Sequence, residues 1–335
     1  MLNIKKPYLL FLGNAQNELD AKTASGIASF CPDEVVGYLK LAQANFRLEK
    51  YPELSLTAAK EQGAQTLVIG VANSGGYIAA EWLDTILQAI ELGFDIASGM
   101  HSKLEAEPQI AAAAQKYQVK LHNVRHFSGE LKTATGSPKL GTKILTVGTD
   151  CSSGKMYSSL KITDALNKIG KKTNFIATGQ TGILIAGSGI AVDAVPADFI
   201  SGSIENLLSN QADMFDIIEG QGSLYHPSFA GVSLGLLHGA QADYLIMCHD
   251  PTRPHIRHLP DYPLADLQEA IELNLQLGRL TNPQIKIAGI CINSSKMPKT
   301  EWEIYRNKII EKTGLPVCDP ALDDVTEIIN KICAN

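Results

Sequence analysis

Short apolar runs alternate with longer segments of helical periodicity along the chain, which is typical of repeated β–α units around a parallel sheet. In the first part, this pattern predicts strands at Tyr8–Leu12, Val35–Leu39, Thr66–Ile69, Phe94–Ala97 and Val119–His122. It predicts helices at Leu54–Gln62, Ala79–Leu92 and Gln109–Tyr117. Residues 1–130 are therefore expected to form one doubly wound α/β domain.

The stretch Ser128–Thr142 lacks periodicity and combines Gly, Pro, Ser and Thr, so we predict a linker over residues 131–142. The pattern then restarts with strands at Lys143–Val147, Thr173–Ala177, Met214–Ile218, Tyr244–Cys248 and Lys286–Ile292. Helices are predicted at Lys155–Ile169, Phe199–Ser209, Leu264–Leu277, Trp302–Thr313 and Asp323–Cys333. Residues 143–335 are expected to form a second doubly wound domain with a mostly parallel sheet.

Composition narrows the class of protein. The 335 residues are 45% hydrophobic and 19% charged, which excludes wholesale disorder. A net charge of -6 leaves no basic surplus for a nucleic-acid partner. The longest apolar runs are too short to cross a membrane, and the N-terminal segment lacks a signal-peptide cleavage site. Six scattered cysteines without a C-x-x-C pair favour a reducing cytoplasm over a disulfide framework or a zinc site.

The segment KILTVGTDCSSGKMYSSL, which starts at Lys143, carries the sharpest chemical signal. A strand ends at Gly148, a glycine turn runs to Gly154, and Lys155 opens a helix. Backbone N–H groups and a helix N-terminus favour anions, and the lysine adds a full charge. A purely structural turn is the alternative. We predict a phosphate-binding loop (P-loop) whose ligand contacts come from Gly148, Thr149, Cys151, Ser152, Ser153, Gly154, Lys155 and Met156.

The residue after the P-loop lysine is Met156, where nucleotide hydrolases have Ser or Thr. That hydroxyl normally binds the magnesium ion that bridges the terminal phosphates, and a thioether does not replace it. The loop is therefore expected to hold phosphates without transferring them, and we expect no metal. Coenzyme A fits such a site better than ATP, because its phosphates serve for binding and are not the reacting group.

Three residues are candidate proton acceptors. Glu219 ends a strand in FDIIEGQGS, His226 follows on the same loop, and Asp150 lies within the P-loop. Histidine titrates near neutral pH, so His226 is the first choice. The alternatives are a solvated acid at a strand end and a surface histidine.

Two arginines and one asparagine are candidate ligand contacts. In CHDPTRPHIR, Arg253 is predicted to clamp a substrate carboxylate, with Arg257 in reserve, because guanidinium groups bind carboxylates in bidentate fashion. A surface ion pair is the alternative for Arg253. Asn293 ends a strand and is predicted to bind an adenine edge, or else to cap the turn that follows.

Three further side chains complete the candidate site. Cys151 lies beside a helix N-terminus and Lys155, so a lowered pKa and an acyl-cysteine are conceivable; a small residue needed for packing is the alternative. His101 and Lys103 in SGMHSKL are predicted to contact the substrate from loops that close over a cleft between the domains.

The strings GTDCSSGKM, TGQTGILIAGSGIAVDAVPADFISG, EGQGSLYHPSFAGVSLGLLHG and CHDPTRP resemble the DgcN-type D-glutamate N-acetyltransferase family. The resemblance spans the chain and implies a Rossmann-like N-terminal domain and a P-loop NTPase-like C-terminal domain. The second domain also resembles dethiobiotin synthetase, from which Met156 departs. The family implies acetyl transfer from acetyl-CoA to the amino group of D-glutamate, and a partner dehydrogenase that acts on N-acetyl-D-glutamate.

Three hypotheses follow. The first is an acetyl-CoA-dependent N-acetyltransferase that acts on a small-molecule substrate. The second is an ATP- and magnesium-dependent ligase or kinase, in which Glu219 or Asp193 replaces the missing hydroxyl. The third is a non-catalytic nucleotide or CoA sensor. A homodimer is expected because it is the commonest soluble assembly.

Overall fold

The computed structural model describes residues 4–73, 75–127 and 129–334. The chain divides into two compact units, which we describe separately. The first unit comprises Met1–Ser128 and Gly179–Ala194, and the second comprises Gly129–Thr178 and Val195–Asn335. Among the described helices, none combines the length and apolarity that a membrane crossing requires.

The first unit contains a five-stranded parallel sheet. Its strands are β1 (Tyr8–Phe11), β2 (Val35–Leu39), β3 (Thr66–Ile69), β4 (Asp95–Ser98) and β5 (Leu121–Asn123). The order across the sheet is β2-β1-β3-β4-β5, a doubly wound topology whose ligand crevice falls where the chain changes direction, at β1 and β3. All five strands were predicted from the hydrophobic pattern, with boundaries shifted by up to two residues.

The helices of this part are α1 (Lys22–Phe30), α2 (Leu56–Glu61), α3 (Leu83–Glu91) and α4 (Pro108–Tyr117). The side chain of Ser55 caps α2 by accepting a hydrogen bond from the Ala58 amide. Strands β1 and β3 are buried at every position, as expected of parallel strands covered by helices on both faces. Helix α1 was missed because its small residues give a weak apolar period. A Cβ at Gly70 would lie 2.6 Å from that of Ala24.

The second unit contains a six-stranded parallel sheet and a short antiparallel pair. Its strands are β6 (Thr142–Gly148), β7 (Lys172–Ile176), β8 (Met214–Ile218), β9 (Tyr244–His249), β10 (His255–Ile256), β11 (Leu259–Pro263), β12 (Lys286–Ile292) and β13 (Val317–Cys318). The order is β13-β12-β9-β6-β8-β7, and β10 pairs with β11. Strand β6 therefore lies in the middle, where connections leave in opposite directions, and its carboxyl end is the expected place for a ligand.

The remaining helices are α5 (Lys155–Lys168), α6 (Gln180–Ala186), α7 (Ile200–Glu205), α8 (Ala230–Ala240), α9 (Leu267–Gly278), α10 (Lys299–Thr313) and α11 (Thr326–Cys333). Helix α6 belongs to the first unit, where the Tyr8 hydroxyl donates to the Leu184 carbonyl oxygen at 3.1 Å. The core of the second unit combines side chains of α5, α11 and the central strands, including Ile144, Ile162 and Ile328.

The predicted linker has no helix or strand before Thr142, where β6 begins. The Glu205 carboxylate anchors it by accepting hydrogen bonds from the Thr135 amide at 3.0 Å and the Gly136 amide at 2.8 Å. The hydrophobic pattern did not predict α6, α8 or the β10–β11 pair.

Candidate functional site

The P-loop connects β6 to α5 at the carboxyl edge of the second sheet. Ser152 and Gly154 both have positive φ angles, of 52° and 98°. A Cβ at Gly148 would lie 2.6 Å from Ser153 Oγ and 3.1 Å from Lys155 Nζ. The loop folds back closely on its own start, so a side chain at its first position displaces the loop serine and lysine.

Three successive carbonyl groups of the loop are held by cationic side chains. Lys155 Nζ donates to the main-chain oxygen of Asp150 at 2.8 Å. Arg253 donates from Nη1 to the Cys151 oxygen at 2.6 Å and from Nη2 to the Ser152 oxygen at 2.7 Å. These contacts fix the orientation of the peptide planes in the loop.

The N–H groups that follow in the loop are available to a ligand. Within residues 4–73, 75–127 and 129–334, the main-chain N–H groups of Ser152, Ser153, Gly154 and Lys155 donate no hydrogen bond. These four groups lie at the N-terminus of a 14-residue helix, where the helix dipole also favours negative charge. The loop is a preformed anion site of the type that binds phosphate groups.

The guanidinium group of Arg253 is hydrogen-bonded to other groups of the protein. Its Nε donates to Asp250 Oδ2 at 2.8 Å, and its Nη1 donates to Asp150 Oδ2 at 2.8 Å. With the two carbonyl contacts, the guanidinium forms four hydrogen bonds, so it holds the P-loop in shape. Arg257 is more open: its main-chain N–H donates to Asp150 Oδ2 at 2.9 Å, and its Nη1 donates to Ser152 Oγ at 2.5 Å.

Three predicted site residues meet at the tip of the loop. A carboxylate oxygen of Asp150, the Cys151 sulfur and a ring nitrogen of His226 all lie within 4.8 Å of one another. This donor set is of a kind that binds a metal ion. However, Asp150 Oδ1 accepts from the Cys151 amide at 2.7 Å, and Oδ2 accepts from both arginines. A metal ion here would compete with Arg253 for the carboxylate, so the surroundings favour an anion.

His226 is buried and its ring is fixed. Nδ1 accepts a hydrogen bond from the Ser228 amide at 3.2 Å, and the ring lies 4.5 Å from that of Phe229 between centroids. The main-chain oxygen of His226 accepts from the Phe229 and Ala230 amides, which hold the residue at the start of α8. The imidazole therefore has a defined orientation beside the P-loop.

The environment of Cys151 is the opposite of the one predicted. Burial raises the pKa of the thiol, and this effect outweighs the neighbouring charge of Lys155. The prediction of a lowered pKa was therefore wrong. Burial also lowers the pKa of Lys155 from its ordinary value, although the ammonium group donates to a carbonyl oxygen.

The carboxyl end of β9 supports the start of the loop. The Thr149 amide donates to the Cys248 oxygen at 3.1 Å, and the Thr149 hydroxyl lies 2.9 Å from His249 Nδ1. Burial lowers the pKa of His249 to about 4, so the imidazole is neutral at neutral pH and shares one hydrogen bond with the threonine hydroxyl. Sequence reasoning missed this pair, since Thr149 was assigned only to the ligand.

Glu219 lies at the end of β8, next to the P-loop strand in the sheet. Its carboxylate accepts from the Thr178 amide at 2.9 Å and from Gln221 Nε2 at 3.2 Å. A Cβ at Gly220 would lie 2.9 Å from Lys155 Cδ, so the strand end touches the P-loop lysine. The predicted acid at this strand end is therefore buried and not solvated.

A cavity of about 250 Å³ adjoins the P-loop on the side of β12 and β13. Its lining includes Ser152, Gly154, Tyr157, Asn293 and Asp319. The Asn293 side-chain oxygen accepts from the Ser295 amide at 3.2 Å, so the residue does cap its turn. Both Asp319 oxygens accept hydrogen bonds from the chain. The cavity thus offers an open space of nucleobase size beside the anion site.

Met156 is half-buried in the first turn of α5, directly after the P-loop lysine. Two serines follow it, and both hydroxyls are engaged: Ser158 Oγ donates to the Gly154 oxygen at 3.1 Å, and Ser159 Oγ donates to the Lys155 oxygen at 2.9 Å. Because both hydroxyls are engaged within the helix, these serines do not replace the missing hydroxyl.

His101 and Lys103 belong to the first unit, after β4, and both are exposed. A Cβ at Gly76 would lie 2.6 Å from His101 Cδ2, so the glycine turn after β3 packs on this imidazole. Partial burial and the charge of Arg125 lower the pKa of His101. Asp193, a predicted magnesium ligand in the ligase hypothesis, is instead paired with Arg125 in the same unit.

Fold and site together define an α/β protein with two doubly wound units, the second of which carries a P-loop anion site. Family models agree: a DUF1611_N Rossmann-like domain matches residues 42–127, and a DUF1611_C P-loop domain, described as a domain of unknown function, matches residues 131–329. The chain belongs to the DUF1611 family. These matches confirm the predicted fold class of both domains.

Full-length relatives extend this assignment. The chain is 46% identical over 332 residues to a D-glutamate N-acetyltransferase from Tritonibacter scottomollicae, covering 99% of each chain. It is 42% identical over 333 residues to a D-glutamate N-acetyltransferase from Pseudoalteromonas sp., covering 99% of this chain and 100% of the other. A crystal structure of a DUF1611 family protein from Anabaena variabilis superposes with a TM-score of 0.88 at 28% identity, over 99% and 100% of the two chains. The family resemblance seen in the sequence motifs is confirmed.

Proposed function

We propose that this protein transfers the acetyl group of acetyl-CoA to the amino group of D-glutamate. The observation that carries the proposal is the full-length similarity to two D-glutamate N-acetyltransferases. The site supports it: four available N–H groups form an anion site surrounded by cationic side chains, and Met156 replaces the hydroxyl that phosphate transfer needs. The ligand phosphates are bound and left intact.

The sheet order suggests how CoA lies. The cavity at β12 and β13 would take the adenine, with the Asn293 side chain at its rim. The diphosphate would lie on the N–H groups of the P-loop after β6, where Lys155 and Arg257 neutralise its charge. The adenine cavity lies on one side of β6, so the pantetheine arm would continue on the other side. There it would pass β8 and β7, whose carboxyl ends are about 4.8 Å apart, and reach the side of Glu219.

Glu219 is the proton acceptor that the geometry favours among the three predicted ones. The ammonium group of the amino acid must lose a proton before it attacks the thioester carbonyl. Asp150 is bound to Arg253, and Nδ1 of His226 is bound to Ser228. The Glu219 carboxylate accepts hydrogen bonds from the Thr178 amide and from Gln221 Nε2, and it lies on the side to which the arm leads. The amine nitrogen then bonds to the acetyl carbon, the thioester C–S bond breaks, and the departing thiolate takes up the proton that the nitrogen loses.

The predicted carboxylate clamp is reassigned. Since Arg253 holds the loop and Arg257 lies at Ser152 beside the adenine cavity, we assign both to the CoA end. His101 and Lys103, which are exposed in the first unit, stay the predicted contacts of the amino-acid carboxylates. The homodimer, and the dehydrogenase that would use N-acetyl-D-glutamate, also stay predictions.

The test is thiol release from acetyl-CoA by the purified protein, with EDTA present. We expect release with D-glutamate, little release with L-glutamate, and an intact CoA diphosphate. The Glu219→Gln variant is expected to bind CoA normally and lose most turnover. Formation of ADP from ATP and magnesium, without thiol release, would instead support the ligase or kinase hypothesis. No turnover of either compound would support the sensor hypothesis.

A further inference from the structure

His226 is the buried imidazole beside the P-loop tip, and its chemistry follows from which nitrogen carries the proton. Nδ1 accepts the Ser228 N–H at 3.2 Å, so its lone pair is already used. A neutral imidazole has one N–H and one lone pair, which places the proton on Nε2. Protonation of Nδ1 would place two N–H groups against each other and break this contact.

The second nitrogen is available. Across residues 4–73, 75–127 and 129–334, Nε2 of His226 has no hydrogen-bond partner, although the residue is only 4% exposed. Unlike the unpartnered Nε2 of His122, which is fully buried, Nε2 of His226 reaches open space, where a bound ligand can supply its acceptor. The ring lies within 4.8 Å of the P-loop groups of Asp150 and Cys151.

We propose that His226 donates a hydrogen bond from Nε2 to the anion bound at the P-loop, and that it is not the proton acceptor of the reaction. Its Nε2–H would donate to a phosphate oxygen of the ligand that the Ser152–Lys155 N–H groups hold. The inference rests on the proposed function only for the identity of that ligand as CoA; the donor role requires any diphosphate on the loop.

The neighbouring groups are consistent with this role. The groups that face the ring are the Asp150 carboxylate, which Arg253 neutralises, and the Cys151 thiol, whose pKa burial raises. His226 has no lone pair left for the thiol proton, because its Nδ1 accepts from the Ser228 amide. The hydrogen bond from the Ser228 amide to Nδ1 is therefore evidence against a Cys151 nucleophile that His226 activates.

Two variants separate a donor from a base. Glutamine retains an N–H donor at a similar reach but takes up no proton, whereas alanine retains neither property. We expect His226→Gln to leave both limbs of the pH–rate profile in place and to raise the Kd of CoA less than His226→Ala does. We expect His226→Ala to raise the Kd of CoA and of inorganic pyrophosphate at least about tenfold, as for loss of one hydrogen bond to a charged group.

A spectroscopic readout is independent of turnover. In a ¹⁵N–¹H long-range correlation spectrum of the full-length protein, His226 is expected to show the Nε2–H tautomer at pH 7, both alone and with pyrophosphate. A loss of activity in His226→Gln equal to that in His226→Ala, together with loss of a pH limb, would overturn the proposal. So would an Nδ1–H tautomer or an unchanged pyrophosphate Kd in His226→Ala.

These outcomes are distinct from failure of the proposed function. If the wild-type protein releases no thiol from acetyl-CoA, the acetyltransferase proposal fails, while the tautomer and the pyrophosphate Kd still decide the role of His226. If Glu219→Gln loses turnover and its pH limb while His226→Gln keeps both pH limbs, both proposals stand.

Discussion

The Arg253 guanidinium donates to the Asp150 carboxylate at 2.8 Å, and this ion pair joins the end of β9 to the P-loop that follows β6. Asp150 is 1% exposed, so the arginine is the partner of a buried carboxylate. The same guanidinium binds two carbonyl oxygens of the loop. One side chain therefore neutralises the buried acid and shapes the anion site.

Replacing Arg253 by alanine is expected to lower the free energy of unfolding by roughly 3–5 kcal/mol, because a buried carboxylate loses its partner. The variant should also raise the KM for acetyl-CoA more than the KM for D-glutamate. Urea unfolding and steady-state kinetics measure the two effects. The Asp150→Asn, Arg253→Ala double variant should recover part of the stability, since no unpaired charge remains.

A role for Arg253 as the substrate clamp gives the opposite kinetic result. In that case the KM for D-glutamate would rise, and neutral D-amino acids would be used as well by the variant as by the wild type. This result would show that the guanidinium binds substrate and that its contacts with the loop are secondary.

Substituting Gly148 by alanine is expected to weaken CoA binding. The added methyl group would lie 3.1 Å from Lys155 Nζ and from the Cys248 oxygen. Overpacking of this kind costs roughly 1–3 kcal/mol, which corresponds to an affinity loss of about 5- to 150-fold. Titration calorimetry with CoA measures it. Gly231→Ala in α8 is the matched control, since nothing lies within 4 Å of its added Cβ and CoA affinity should not change.

The neutral His249 makes stability depend on pH. Its pKa is about 4 in the folded protein against 6.5 in the unfolded chain, so the unfolded state binds the extra proton first. The contribution is fully present above pH 6.5 and is lost as pH falls toward 4, by about 3 kcal/mol in total. Urea midpoints at pH 7.5 and pH 5 measure the loss, which His249→Gln should reduce. Equal losses in both proteins would refute the assignment.

Cys151 is expected to be a poor nucleophile. Because burial raises the pKa of its thiol, the thiolate fraction at pH 7.5 is smaller than for an ordinary cysteine. Iodoacetamide should therefore react slowly, and Cys151→Ser should retain acetyl transfer. An acetyl group found on Cys151 by mass spectrometry after acetyl-CoA treatment would contradict this account.

Met156 is expected to set the metal requirement. Wild-type CoA binding should be the same in EDTA and in magnesium, because the P-loop lacks the hydroxyl that binds the ion. Met156→Thr supplies that hydroxyl, so ATP should bind the variant more tightly in magnesium than in EDTA. Fluorescence titration with a labelled ATP measures the difference. A magnesium requirement for CoA binding in the wild type would refute this prediction.

The sequence predicted those elements whose local pattern matches their burial. The P-loop strand and helix followed from an apolar run, a glycine turn and a periodic helix. Helix α8 was missed because its glycines look like loop residues. They are needed for close packing: a Cβ at Gly239 would lie 2.4 Å from the Ser201 carbonyl oxygen of α7. Such a contact between helices distant along the chain has no local signature.

For the candidate site, too, the sequence predicted one part correctly and missed another. The sequence brought His226, Asp150 and Cys151 into one hypothesis, and the structure places them together. Their roles depend on details that spacing does not encode, such as the Ser228 amide at His226 and the guanidinium at Asp150. Charge and burial around each group, rather than its residue type, decide what it does.

A crystal structure of the protein with bound CoA tests the central claim most directly. The account predicts the CoA diphosphate on the N–H groups of Ser152 to Lys155, with adenine in the cavity beside Asn293. It also predicts His226 Nε2 within hydrogen-bond distance of a phosphate oxygen. CoA bound at another place, with no phosphate on the P-loop, would contradict it.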